Sequence, residues 1–298
     1  MPLPFIKAEG TGNDFVVVDL RPGQPAAAGA AALQDPAVVR DLCDRHFGVG
    51  ADGVLAILPS ALGDARMRVL NADGSEAEMC GNGLRCVAKV LYESDPSLRR
   101  PTLKVETGAG VLTCTLDVEA GAVRSVTEEM GRPRLTRSEI PLAPGGEARA
   151  LRETIRARDR DFRYTAVSMG NPHAVIFVDG DEDLRALATT YGPVLEVAEH
   201  FPRRTNVEFA RVRGKEIDLV VWERGSGLTL ACGTGACATV VAACLEERLT
   251  PGADTGVHLP GGTLAITVAP DYSGVRLRGP ARIAFQGTLD DAQLSPSH

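Results

Sequence analysis

Apolar residues along this chain fall into short runs and alternations that read as strands, separated by a few stretches with helical spacing. Strand-like segments rich in Val, Ile and Thr occupy positions 15–20, 54–58, 67–71, 103–106 and 111–118, punctuated by glycine. A helix fits 36–47, and another fits 82–92, where Leu84, Val87, Ala88 and Leu91 recur on one face. A third, at 234–247, is apolar nearly all round ("GACATVVAAC"), which predicts a helix surrounded by protein. The expectation is therefore an α+β protein in which a curved, mostly antiparallel, barrel-like sheet wraps a central helix. The Pro-, Gly- and charge-rich stretch 132–147 reads as a connection.

The pattern occurs twice. "MCGNG" (79–83) and "ACGTG" (231–235) are nearly the same five letters. At the same separation, and without a gap, "VETGAGVLTCTL" (105–116) falls beside "VHLPGGTLAITV" (257–268). "GNDFVVVD" (12–19) matches "GNPHAVIFVD" (170–179) once two residues are inserted. Two copies make a pair of similar domains rather than a solenoid. The expected boundaries are 1–130, with the segment from about 279 to 298 returning to it, and 131–278. The Pro/Ala-rich stretch 21–32 reads as a surface loop without a role.

Composition narrows the function classes. With 298 residues, 44% hydrophobic and 24% charged, the chain has the balance of a soluble two-domain protein. It has no apolar run of bilayer length and no secretory start, so we expect a cytoplasmic protein that does not bind membranes. A net charge of -7 argues against a general nucleic-acid binder. Seven cysteines, an odd number, point to a reducing compartment rather than a disulfide framework. Cys43, Cys114 and Cys244 sit among apolar neighbours and read as packed thiols.

Cys80 and Cys232 differ from these because each stands at the entry of a central helix. A helix start leaves N–H groups unpaired and carries the positive end of the macrodipole, so a cysteine there is expected to have a lowered pKa. Glycines beside it let a ligand approach the backbone. Two such ends facing each other across a cleft would aim two acidic thiols and two sets of N–H donors at one carboxylate. That is a site for proton transfer at carbon. Other roles fit less well: Cys80 with Cys86 and Cys232 with Cys237 have poor zinc spacing, and neither glycine loop has the lysine of a phosphate-binding loop. No metal and no cofactor is expected.

Five motifs in order, "GTGNDFVVVD" (10–19), "NADGSEAEMCGNGLRC" (71–86), "SMGNPHAVIFVD" (168–179), "RTNVEF" (204–209) and "ERGSGLTLACGTGACA" (223–238), resemble the diaminopimelate epimerase family over most of the chain. The resemblance implies interconversion of LL- and meso-2,6-diaminopimelate without pyridoxal phosphate or metal, in lysine and peptidoglycan precursor synthesis. One cysteine thiolate removes the α-proton and the other, as a thiol, delivers a proton to the opposite face. It also implies a small-molecule partner and a homodimer. A same-fold racemase acting on another amino acid is the alternative, and a metal or redox module is a more distant one.

Carried over residue by residue, the resemblance makes Cys80 and Cys232 the catalytic pair. Gly81, Asn82, Gly233 and Thr234 hold the reacting carboxylate at the helix starts. Asn13, Asn71, Asn171 and Asn206 bind substrate, Arg224 pairs with its distal carboxylate, and His173 and Glu223 orient or tune the thiols, Glu223 also touching substrate. On their own residues, Asn13 and Asn71 also fit turns, Arg224 a surface ion pair and His173 a satisfied loop histidine. Arg85 reads as solvent-facing or packing. Gly53 stands where some members of the family have a glutamine that contacts substrate.

Overall fold

The computed structural model describes residues 2–29, 31–146 and 148–290. It divides into two units, one running to Glu128 and resuming at Gly279, the other Glu129–Arg278. In the first, β1 (Leu3–Gly10) and β2 (Asn13–Asp19) form an antiparallel hairpin. After α1 (Pro36–Cys43), β3 (Gly53–Leu58) runs parallel to β2 and β4 (Ala65–Asn71) antiparallel to β3, with the short β5 (Glu76–Ala77) at its side. Beyond α2 (Gly81–Ser94), β6 (Thr102–Thr107) pairs parallel with β4, and β7 (Gly110–Glu119) and β8 (Ala122–Glu129) extend the sheet as a meander.

The second unit contains β9 (Glu153–Ala157), β10 (Arg160–Ser168), β11 (Pro172–Phe177), α3 (Leu184–Glu196), β12 (Asn206–Arg213) and β13 (Glu216–Glu223). It continues through β14 (Gly227–Leu228), α4 (Gly233–Leu245), β15 (Asp254–Leu259), β16 (Gly262–Val268) and β17 (Val275–Pro280). The chain then returns to the first unit as β18 (Arg282–Leu289), antiparallel to β1. Positions 291–298 of the expected returning segment lie outside the described residues.

Hydrogen bonding orders the first sheet β18-β1-β2-β3-β4-β6-β7-β8 and the second β9-β10-β11-β12-β13-β15-β16-β17. Parallel pairs occur at the same two places in each, β2/β3 and β4/β6 against β11/β12 and β13/β15. Each parallel step needs a crossover, and the same helix fills it in both copies: α1 and α3 for the first, α2 and α4 for the second. The sequence repeat is thus a repeat of topology.

Side-chain phase explains the layering. On β2, Phe15 and Val17 face α2 while Val16 and Val18 face α1, so a strand buried on both sides needs an unbroken apolar run. Residues from β1 through β4 and β6 through β8 all pack against Leu84, Val87, Ala88 and Leu91 of α2, which means the sheet curves round that helix. Burying each of the two leucines contributes about 1.5–3 kcal/mol. In the second unit α4 is enclosed in the same way, buried without interruption from Gly235 to Cys244, as its all-round apolar sequence requires.

Some boundaries differ from the sequence reading. α1 stops at Cys43 because Asp44 Oδ1 accepts hydrogen bonds from the N–H groups of His46 and Phe47, which turns the chain out of the helix and leaves Phe47 exposed. α2 continues to Ser94. The connecting stretch is anchored rather than loose: Arg134 bridges Ser168, and Leu135 and Ile140 enter two clusters of the second unit's core, while Glu147 lies outside the described residues. In the 21–32 loop, Arg21 pairs with Asp19 and Asp95, Ala26 is buried, and Ala30 lies outside the described residues. Among the described residues no helix is long and apolar enough to cross a membrane.

Candidate active site

Each cysteine box makes the same local structure. Cys80 is the N-cap of α2, in extended conformation at φ -143° and ψ 113°, and its Sγ accepts a hydrogen bond from Gly83 N at 3.4 Å. Cys232 is the N-cap of α4 at φ -127° and ψ 108°, and its Sγ accepts from Gly235 N at 3.3 Å. A thiol thus takes the place usually held by a hydroxyl or carboxylate oxygen, against one of the unpaired N–H groups of the first turn. None of the seven cysteines is in a disulfide.

Around Cys80 the first unit gathers three of the residues singled out in the sequence. The β1/β2 hairpin turns through Thr11 and Gly12, both at positive φ, the two-residue turn whose twist suits a hairpin, and this delivers Asn13 to the helix start. Asn13 Oδ1 accepts from the Cys80 thiol at 3.8 Å and from Asn82 Nδ2 at 3.2 Å, while its Nδ2 donates to Asp52 at 2.6 Å. Gly81 opens the helix beside them. Asn71 is not bonded into this group: its amide donates to Ser75 Oγ at 2.9 Å in the turn that ends β4. Gly53 pairs with Asn71 across β3 and β4, and a β-carbon there would lie 2.6 Å from the Leu70 carbonyl oxygen. A side chain at 53 would require β3 or β4 to shift, and the glycine itself supplies no contact of the glutamine kind.

The second unit builds a longer chain of contacts. His173 Nδ1 lies 2.7 Å from Glu208 Oε1, its Nε2 lies 3.0 Å from Asn171 Oδ1, and Asn171 Nδ2 donates to Thr234 Oγ1 at 3.3 Å. The Thr234 hydroxyl is 3.5 Å from Cys232 Sγ. Glu223 accepts from Thr229 Oγ1 at 2.6 Å and is within hydrogen-bonding reach of the Cys232 thiol. Next to it, Asn206 is occupied at both ends of its amide, donating to the Pro172 carbonyl and accepting from Arg224 N, each at 2.9 Å. Arg224 itself is exposed, with Nη1 on the Arg203 carbonyl.

Three sequence readings change here. His173 is no loop residue but a fully buried member of β11. Arg85 is not solvent-facing: it is completely buried, donating to Asn82 Oδ1 at 2.6 Å, Thr11 Oγ1 at 2.9 Å and the Pro280 carbonyl at 3.2 Å. The Cys232 thiol is pushed well above its ordinary pKa, not below it. Burial is the main cause and the carboxyls of Glu223 and Glu208 add to it, outweighing the Thr234 and Gly235 hydrogen bonds. Burial likewise raises both glutamates.

Glu208 was not singled out in the sequence. The signal was available: Val207 and Phe209 face α3, which turns Asn206, Glu208 and Ala210 toward α4, and an acid in a core-facing phase of a strand needs a partner.

The chain, with its pair of matched helix starts each capped by a cysteine and enclosed by the same sheet topology, has the fold of solved racemases and epimerases. Solved structures with this fold include a hydroxyproline epimerase from Agrobacterium vitis, at TM-score 0.65 and 17% identity over 98% of this chain and 93% of that one. A methylitaconate-delta-isomerase matches at TM-score 0.66 and 14% identity, covering 100% of this chain and 98% of that one. At such identities the likeness concerns the fold alone.

The sequence goes further. The model of the family described as diaminopimelate epimerase matches residues 5–136 and 165–284, and the chain belongs to that family. Relatives named diaminopimelate epimerase include that of Pelotomaculum thermopropionicum, 49% identical over 95% of this chain and 97% of its own length. The relative from Desulfitobacterium hafniense is 45% identical over 98% of this chain and 100% of its own.

Proposed function

We propose that the protein interconverts LL- and meso-2,6-diaminopimelate by two-thiol proton transfer at the α-carbon, without a cofactor. The observation that carries this reading is the repeated cysteine N-cap, the same thiol geometry at the start of both buried helices. In this reading a thiolate takes the proton from the substrate α-carbon, and the other thiol supplies one to the opposite face. The electron pair left on carbon is delocalised into the adjacent carboxylate. That build-up of charge is offset by the N–H groups of Gly81, Asn82, Gly233 and Thr234 at the helix starts.

With its pKa pushed up by burial and two carboxyls, Cys232 is the proton donor at rest and Cys80 the base. In the reverse direction the roles exchange, as microscopic reversibility requires. Asn13, Asn71, Asn171 and Asn206 bind the substrate, with Glu223, and Arg224 takes the distal carboxylate. His173 and Glu223 orient and tune the second thiol. The reading includes a cytoplasmic homodimer, whose stoichiometry sedimentation equilibrium would determine.

The test is incubation of the reduced protein with LL-diaminopimelate in heavy water, followed by chiral chromatography and mass spectrometry. Meso product carrying one solvent-derived deuterium, absent with Cys80→Ala and with Cys232→Ala, is the expected result. No exchange from folded, reduced protein would overturn the substrate assignment.

A further inference from the structure

Beneath the start of α2 lies a buried ion pair that the reaction as described does not use. Arg85 Nη1 is 3.7 Å from Glu128 Oε1, and the two side chains are 0% and 3% exposed. Neither Glu128 oxygen, nor Arg85 Nη1, has a hydrogen-bond partner among the described residues. Two unsatisfied carboxylate oxygens in a core are costly, and replacing a buried ion pair by apolar groups of similar volume is often neutral or stabilising, so packing alone does not account for the pair.

Its position does. Glu128 Oε2 is 3.2 Å from where a β-carbon on Gly81 would sit, next to Cys80 in the chain. On its other side Arg85 holds Asn82 Oδ1 and Thr11 Oγ1; Asn82 Nδ2 holds Asn13 Oδ1; and that same oxygen accepts from the Cys80 thiol. A continuous polar path therefore runs from Glu128 through Arg85, Asn82 and Asn13 to Cys80.

We propose that Arg85 and Glu128 are a positioning pair for the first half-site: Arg85 fixes Asn82 and Asn13 against the Cys80 thiol, and Glu128 sets how much of the guanidinium charge that thiol feels. This rests on the reading of Cys80 as a catalytic base. Neither residue touches substrate; both act through α2 and its neighbours.

The carboxyl of Glu128 is pushed up to about 7 by burial, with Arg85 pulling against that. Below that pH the pair carries the full positive charge of Arg85 and favours a thiolate next to it; above it the pair is neutral and the support weakens. The other ionisable groups around Glu128 are Cys114 on β7 and Cys86 on α2, with Glu9 of β1 near Cys86. Both thiols are raised far above the ordinary range by burial and stay protonated throughout.

The experiment is the rate of iodoacetamide alkylation at Cys80, read by peptide mass spectrometry from pH 5.5 to 9, in full-length wild type, Glu128→Gln and Arg85→Lys. Glu128→Gln is near-isosteric and leaves the guanidinium uncompensated, so Cys80 should react faster than wild type above pH 7, on the order of threefold, and at the wild-type rate below pH 6. Arg85→Lys keeps the charge but loses the fork that holds Asn82 and Thr11, so KM for the epimerase substrate should rise while the alkylation profile keeps its wild-type shape. Superimposable alkylation profiles for wild type and Glu128→Gln would overturn the proposal, even if both variants lost stability. Alkylation needs no substrate, so a wrong substrate assignment would leave this readout intact.

Discussion

Nδ1 of His173 lies 2.7 Å from Oε1 of Glu208, with neither side chain exposed to solvent. The same oxygen would lie 2.9 Å from a β-carbon at Gly235, the residue whose N–H donates to Cys232 Sγ. The carboxyl therefore occupies the space a side chain on the first turn of α4 would need. The glycine is there for close approach, since its φ is not in the left-handed region.

Gly235→Ala should therefore damage the site from within the helix. The Glu208 oxygen cannot move without lengthening its bond to His173, and Cys232 Sγ is only 3.2 Å from the new methyl. We expect a loss of about 1–3 kcal/mol in urea unfolding and a larger proportional loss of kcat. Gly274→Ala is the control, because nothing lies within 4 Å of its β-carbon position. Equal stability loss in the two variants would contradict this account.

Linkage gives a second prediction. Burial raises the folded-state pKa of Glu128 to about 7, above an unfolded value near 4.5. The folded protein thus holds this proton more tightly, so its contribution to stability is fully present below about pH 4.5, falls as pH rises toward 7 and is gone above it. Glu128→Gln removes the titration, and its stability relative to wild type should improve by about 2–3 kcal/mol between pH 4.5 and pH 8. Urea midpoints at the two pH values measure it; a difference that does not change with pH would refute the shift.

The two-copy architecture, its central helices and the placement of both cysteines were legible from the chain because each depends on local pattern: an apolar face, a glycine turn, a repeat. The state of Cys232 was not. A helix-dipole argument counts only the helix that the thiol caps, whereas the shift comes first from burial and then from carboxyls on β12 and β13, and only the folded sheet supplies both. That Arg85 packs and does not face solvent was undecided in the sequence for a related reason: a charged residue on a helix is usually solvated, and its burial depends on Glu128, Thr11 and Pro280, all remote in sequence. Glu128 itself was readable, since it shares a strand face with Val126 of the core.

The raised thiol at Cys232 predicts its reactivity. The Glu223 carboxylate opposes ionisation of this thiol by its charge, so Glu223→Gln should increase the thiolate fraction and speed alkylation of Cys232. The same variant should lose kcat, since a carboxyl beside the reacting thiol is removed. Alkylation no faster than in wild type would remove Glu223 as an electrostatic cause and leave burial and Glu208 to account for the shift.

Asn206 offers the sharpest separation of positioning from contact. Its amide bridges the Pro172 carbonyl on β11 and the N–H of Arg224, and so ties the turn that carries Arg224 to the strand that carries His173. Nearby, Glu196 accepts from Gly225 N and from Trp222 Nε1, holding the other side of that turn. Asn206→Ala removes one anchor and leaves the guanidinium in place but unaimed. KM for diaminopimelate should rise about tenfold or more, because a misplaced ionic contact forfeits a few kcal/mol at most and mainly in binding. Arg224→Met should raise KM at least as much. In the double variant the losses should fall well short of additive, since Asn206 would be aiming a charge that is no longer there. Fully additive effects would mean that Asn206 contributes only through its own contact with substrate and that its tie to Arg224 has no part in binding.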